Sequence, residues 1–413
     1  MPSPPTPKLQ LAAMLGVIGT LAVILPAFLT GAMAVQIRDD LNMSEWQLGL
    51  AIGSFFVGSA AGSTLLGRLA ERLGPRLAIR LGLAASIAAN IVIAAFVQGH
   101  RSLIAVLAVA GLANALTQPA VNLLLVRVVE PGRLGTVMAL KQSGMPAAAL
   151  VGGLAVPLIA LTVGWRAGYL LAALIALSAV VLTGVLAGHG EVIAESTPSN
   201  AAPDSHERPR PDLGMRTLLL MAAVGVLGGG AANILVGYLV SGAVAAGVSP
   251  GPAGLLLTMG AALGIASRLI QGWMADKREF DVLARVIVLF AVGSMGAAGL
   301  ALQSTTGYLL ATPFAFAAGW AWPGLFNLVV VRTNRSAPAA ATGITQTGVY
   351  LGSLVGPVVA GLLVEKSGYP AVWLMTAGAL AGASLLALAV KRALVPQVLK
   401  ADGPQVEQAG TTG

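Results

Sequence analysis

Twelve stretches of this chain are apolar for about 20 residues or more, the length a helix needs to cross a bilayer, and that repetition leaves few folds open. They run roughly over residues 10–36, 46–67, 77–97, 103–126, 137–161, 167–188, 216–241, 251–272, 283–302, 307–331, 341–364 and 371–391. Each is broken from the next by charges, Gly/Pro turns or polar clusters. In lipid the backbone must satisfy its own hydrogen bonds, so such runs are helices. The sequence therefore reads as an all-α integral membrane protein with twelve transmembrane helices. The first run is too long for the apolar region of a signal peptide and no small-residue cleavage site follows it, so it counts as a span.

Composition closes off the other classes. Of 413 residues 56% are hydrophobic and only 10% are charged, against about 25% charged in a soluble domain. A disulfide scaffold is excluded by the absence of Cys. The net charge of +8 could suggest nucleic acid, but that needs a clustered basic face, and here the charges fall singly between apolar runs. The partners expected are the lipid bilayer and a small-molecule substrate, with no nucleic acid, no cofactor, no metal and a monomeric state. Enzyme chemistry has nothing to stand on: no Cys, no clustered His, no paired carboxylates.

The positive charges set an orientation, because cytoplasmic loops collect Lys and Arg. One set of loops and tails holds eighteen of them, among them Arg68, Arg72, Arg76, Arg80, Arg127, Arg332 and Lys391. The opposite loops hold only Arg38, Arg101, Arg166 and Lys366, and two more, Lys141 and Arg268, fall inside runs. Both termini are expected in the cytoplasm, in the plasma membrane.

The chain is also one unit used twice. His189–Arg216 carries five acidic and three basic residues with four Pro and reads as a linker. On either side the chain repeats at an offset of 204–205 residues: Lys141-Gln142-Ser143-Gly144 against Thr345-Gln346-Thr347-Gly348, Pro119 against Pro323, Asn122 against Asn327, Arg127 against Arg332. The organisation expected is a six-helix bundle over 1–188, a cytoplasmic linker over 189–215, a second six-helix bundle over 216–395 and a flexible tail over 396–413. Parallel repeats of this kind belong to carriers that rock two bundles about a central site.

With those residues in view, the whole chain resembles the major facilitator superfamily. The loop after the second run, Gly67-Arg68-Leu69-Ala70-Glu71-Arg72-Leu73-Gly74-Pro75-Arg76, is similar to the family pattern Gly-x-Leu-Ala-Asp-Arg-x-Gly-x-Arg, with Glu71 where Asp is usual. A degraded copy, Gly272-Trp273-Met274-Ala275-Asp276-Lys277-Arg278, follows the eighth run. The resemblance implies gating roles for Gly67, Glu71, Arg72, Gly74, Arg76, Asp276 and Lys277: close helix approach at Gly67, and a salt-bridge latch between bundles. It also implies that helices 1, 4, 7 and 10 line a central path.

The polar residues inside the runs fall on several of those helices. Asn114, Gln118 and Asn122 recur every fourth residue of the fourth run, within one face. Trp320, Trp322 and Asn327 surround Pro323 in the tenth, Asn233 follows the Gly228-Gly229-Gly230 weak point of the seventh, and Gln346 and Tyr350 share a face of the eleventh. For any one of them interhelical glue is an equal reading; as a set they fit a polar cavity. A Lys or Arg inside a span costs about 2.5–3.5 kcal/mol on insertion scales, so Lys141 and Arg268 are functional candidates. The spacing of Arg268 resembles the helix 8 Arg of monocarboxylate and oxalate/formate carriers, which engages the substrate carboxylate. Either cation could instead snorkel to headgroups.

No Asp, Glu or His falls inside any run, so the cavity is net positive and its counter-ion is expected to be the cargo. The function expected is secondary transport of a small, monocarboxylate-like organic anion by rocker-switch alternating access. A drug/proton antiporter is the alternative, weakened by Leu107 at the expected helix 4 Arg and by Gly144-Met145-Pro146 in helix 5. A membrane sensor is a remote third reading. Gly spaced by four, as at Gly49/Gly53, Gly260/Gly264, Gly348/Gly352/Gly356 and Gly378/Gly382, marks helix-packing seams.

Overall fold

The computed structural model describes residues 7–129, 137–138, 140–188, 212–277, 281–334 and 336–401. Most of the linker and of the tail, the side chains of Asp276 and Lys277, and Arg278 lie outside the described residues. What is described is helical: α1 Pro7–Ala32, α2 Ala34–Leu41, α3 Glu45–Leu73, α4 Pro75–Phe96, α5 His100–Val128, α6 Gly144–Ala155 with a π turn over Val156–Ala160, α7 Trp165–Gly188, α8 Met215–Ala245, α9 Pro250–Lys277, α10 Val282–Leu300, α11 Thr305–Ala317, α12 Pro323–Arg332 and α13 Pro338–Ala401.

Among the described residues ten helical segments are long and apolar enough to cross a membrane, where the sequence led us to expect twelve. Two local features account for the difference. The tenth run is split into α11 and α12 by a turn over residues 318–322, just ahead of Pro323. The last two runs form the single 55-residue apolar segment Ala340–Leu394. A straight helix of that length would reach about 80 Å, well over twice the bilayer core. It is turned at Gly368, whose φ of 74° lies in the left-handed region open to glycine. Gly228–Gly230, by contrast, is no weak point: α8 runs through it unbroken, and Gly229 and Gly230 pack on the α13 backbone at Val349 and Gly352.

Large apolar side chains face outward throughout, among them Leu65, Phe96, Val163, Met295 and Leu385. Exposed apolar surface on this scale fits a lipid solvent. The buried side chains form three clusters with a clear geography. One lies wholly in the part before the linker and includes Leu15, Ile79, Leu124 and Leu186. Another lies wholly after it and includes Met221, Phe290, Trp322 and Val390. Both sit toward the end that carries the α3–α4 turn, here called the near end. Only the third joins the two halves: it packs Phe28, Leu48 and Ile52 with Leu235, Tyr238, Trp320 and Trp373, toward the opposite, far end.

Close backbone approach explains the far-end seal. A Cβ on Gly31 would stand 2.7 Å from the backbone of Gly237, one on Gly49 2.4 Å from the Pro357 carbonyl, and one on Gly153 2.6 Å from the Gly254 carbonyl. Each of these pairs crosses between the halves. At the near end Gly67, Gly272, Gly324 and Gly343 face open space. Hydrogen bonds between halves among the described residues, from Trp46 and Ser44 to Glu365, from Tyr238 to the Glu45 carbonyl and from Tyr369 to the Glu45 carboxylate, lie at the far end. The fold is thus sealed at one end and parted at the other.

Candidate functional site

Arg268 stands nine residues, about 14 Å of helix, before the near end of α9. Its guanidinium is turned onto the break in the neighbouring helix. Nη2 and Nε donate to the backbone carbonyl of Trp320 at 2.6 and 3.2 Å, and the charge lies 5.1 Å from the centre of the Trp320 ring. A helix break leaves carbonyls without an intrahelical donor, and Arg268 caps this one. Trp320 is buried and its ring meets Phe28 of the other half, centroids 6.2 Å apart. The cation is therefore placed at the junction of the halves. Among the described residues it forms no ion pair; its partners are a neutral carbonyl and a ring face.

Lys141 opens the Leu140–Ala160 span but does not reach out to solvent. It is 5% exposed, covered by Gly16 of α1, where a Cβ would meet its side chain at 3.3 Å. Nζ donates to Oδ1 of Asn122 at 2.9 Å, and Asn122 itself is exposed. In the second half Gln346 donates to Oδ1 of Asn327 at 3.3 Å. This tether pairs Lys141 with Gln346 at an offset of 205, while Gly144 and Gly348, 204 apart as the sequence aligned them, make equivalent approaches to the Val17 and Ala222 carbonyls. Tyr350, one turn beyond Gln346, is 45% exposed.

Other candidates turn out to be occupied. Asn114 donates to Ser59 at 3.1 Å and accepts from Gln118 at 3.4 Å, tying α5 to α3. Asn233 is buried and donates to the Gly229 carbonyl and to Ser353, tying α8 to α13. Trp322 is 1% exposed, wedged between Phe290, Phe326 and Gly228 inside the second half. It belongs to the core and not to a cavity wall. A groove of about 570 Å³ between α1 and the residues ahead of α6 is lined, among the described residues, by apolar side chains such as Met14, Val17, Val137 and Leu140 with Gln10.

Among the described residues the near-end motif makes no latch. Glu71 and Arg72 are exposed and Arg76 is half-buried; none of them forms an ion pair with a described residue. Gly67 has nothing within reach, whereas Gly74 has a φ of 79° and makes the turn from α3 to α4. Close approach at Gly67, expected from the pattern, is absent because the halves are parted there.

Sequence reasoning passed over a carboxylate. Glu45 begins α3 one residue outside the second run, yet it is 7% exposed and sits between the halves. The signal was present in Ser44-Glu45-Trp46-Gln47, a capping box in which Ser44 and Gln47 bond reciprocally.

The Major Facilitator Superfamily profile matches residues 15–329 and, overlapping, 218–409. The chain belongs to the major facilitator superfamily. That family is one of multi-pass membrane transporters and not of enzymes. Monocarboxylate transporter 12 of Rattus norvegicus is 29% identical over 180 residues, 41% of this chain and 37% of that protein. The Homo sapiens protein of the same name is 30% identical over 143 residues, 33% of this chain and 28% of its own. The chain thus matches between 28% and 37% of the length of these relatives. Among solved structures, a bacterial homolog of the human lysosomal transporter Spinster, in an inward-facing and occupied conformation, superposes with a TM-score of 0.72 at 15% identity, covering 96% of this chain and 99% of that one. A D-xylose-proton symporter gives a TM-score of 0.72 at 17% identity, covering 92% and 96%. At these identities the likeness speaks for the superfamily fold alone.

Proposed function

We propose that this superfamily member carries a small organic anion of the monocarboxylate class by alternating access between two six-helix bundles, residues 1–188 and 216–395. The observation that carries the reading is Arg268: a guanidinium inside a span whose partners are the Trp320 carbonyl and ring, with no described carboxylate to balance it. A charge inside a membrane span without a counter-ion is costly. An Arg fork matches a carboxylate in two parallel hydrogen bonds. The cargo supplies the missing charge by taking the fork from the carbonyl. The relatives named monocarboxylate transporters agree with this class over the part of the chain they match.

The same reading takes the chain as twelve crossings, with α11–α12 as one broken span and α13 as two spans turned at Gly368. It puts the near end, both termini and the linker in the cytoplasm of a plasma-membrane monomer. The parted near end then opens inward. Lys141 with Asn122, and Gln346 with Asn327 and Tyr350, form the near-side walls of the path, and the Gly67–Arg76 loop with Asp276 and Lys277 acts when that end closes.

The test is counterflow of short monocarboxylates into proteoliposomes. Arg268→Lys keeps the charge and a donor for the carbonyl but loses the planar fork, and is expected to lower transport at least tenfold with little change in melting temperature; Arg268→Ala is expected to abolish it. Undiminished counterflow by Arg268→Ala would remove the anion site.

A further inference from the structure

The far-end seal is built around one carboxylate. Glu45 Oε1 accepts from Nη1 of Arg38, on α2 of the same half, and from the Tyr369 hydroxyl, just past the Gly368 turn in the other half. The second half engages the same short stretch twice more. Glu365 Oε1 accepts the Trp46 backbone N–H at 2.8 Å, placing a negative charge on the N-terminus of α3, where the helix dipole favours it. The Tyr238 hydroxyl donates to the Pro357 carbonyl at 2.8 Å and lies 3.5 Å from the Glu45 carbonyl. Gly361 stands so close that a Cβ there would meet the Glu45 carbonyl at 2.4 Å.

These contacts divide by where they would go when the halves part. Arg38 moves with Glu45. Tyr369, Glu365, Tyr238 and Gly361 belong to the other half and must leave it. The closed state also carries its own release: Glu45 Oε2 is buried with no hydrogen-bond partner among the described residues. A buried, unpartnered carboxylate oxygen is unfavourable, and opening the far end exposes it to water. One oxygen of the group thus favours the seal and the other opposes it, as a contact that must form and break in each cycle requires.

We propose that Glu45 is the gate residue of the far end, the fixed half of a latch whose moving part is the Tyr369 hydroxyl, with the Glu365 carboxylate fastening the next residue, Trp46, through its backbone N–H. The proposal rests on the alternating-access reading but not on the charge of the cargo.

The chain has no Cys, so a single reporter is clean. Ile52, 3% exposed, packs against Gly237 of the other half, and Ile52→Cys reports opening through its rate of reaction with a membrane-impermeant maleimide in proteoliposomes without substrate. In that background Tyr369→Phe, Glu45→Gln and Glu365→Gln are each expected to speed labelling several-fold, and Tyr369→Phe with Glu45→Gln together no more than the larger single effect. Tyr369→Phe removes one hydroxyl from the edge of a packed ring, so it decides the matter if Glu45→Gln fails to accumulate. Equal labelling rates in all variants would overturn the latch alone. A reporter silent in every variant would overturn the latch and alternating access with it.

Discussion

Lys141 donates to Asn122, nineteen residues earlier in the chain, as Gln346 donates to Asn327 nineteen residues earlier in the second half. The two halves repeat one tether between neighbouring helices, and only the first places a charge in it. Because the second half holds the same geometry with a neutral amide, the fold does not need the ammonium.

Lys141→Gln copies the second half into the first. It is expected to leave insertion and folding intact and to lower anion transport about tenfold, the size of effect that loss of a charge-assisted contact of about 1.4 kcal/mol would give. Initial-rate uptake beside a melting curve checks both halves of the statement.

Lys141→Met goes further by removing a buried cation whose one described hydrogen-bond partner is an amide. Replacing buried charge by an apolar side chain of similar size is often neutral or stabilising. The melting temperature should stay level or rise by a few degrees while transport falls. A drop in melting temperature would mean that Lys141 is structural.

Asn114 and Ser59 should behave in the opposite way. Their hydrogen bond and the Ser59 bond to the Gly111 carbonyl at 3.1 Å join α3 to α5 within one half. Asn114→Ala is expected to cost roughly 1 kcal/mol of stability and to leave the apparent affinity for substrate unchanged. A change in KM without loss of stability would return Asn114 to the binding site.

Two glycines separate packing within a half from packing between halves. A Cβ on Gly352 would lie 2.0 Å from the Val226 carbonyl of the same half, one on Gly361 2.4 Å from the Glu45 carbonyl of the other. Gly352→Ala has nowhere to go and should destabilise the protein by about 1–3 kcal/mol or more. Gly361→Ala can be relieved by opening, so it should speed far-end cysteine labelling with a smaller loss of melting temperature.

At the far surface Arg166 donates to Asp40 at 2.5 Å and the Trp165 indole donates at 3.1 Å. The Arg166 hydrogen bond foremost holds the Asp40 carboxyl below its ordinary value. A lowered folded-state pKa adds stability above the ordinary carboxylate range and loses it as the pH falls through the depressed value. Both side chains are exposed by 40% or more, so the pair is worth at most about 1 kcal/mol. Asp40→Asn should melt slightly below the parent at neutral pH and converge with it in acid.

The spacing of apolar residues alone determined that this chain is a helical membrane protein, because a bilayer accepts no other use of runs this long and this poor in charge. The Lys/Arg asymmetry, the offset near 205 and the Gly67–Arg76 pattern were local enough to read from one strand of sequence, and so were Lys141 and Arg268 as charges out of place. What those charges touch was not. Arg268 is defined by a carbonyl freed where α11 stops, and nothing in Trp320, Trp322 or Pro323 said which indole would face the other half and which would be buried in its own. The twelve runs blurred into ten helical segments for the same reason: a break before Pro323 and a left-handed Gly368 depend on what packs around them. Glu45 shows the division most sharply. By sequence it is a helix-capping acid outside a span; tertiary contact with Arg38 and Tyr369 makes it the most enclosed carboxylate described, because only the meeting of two halves far apart in the chain could remove it from water.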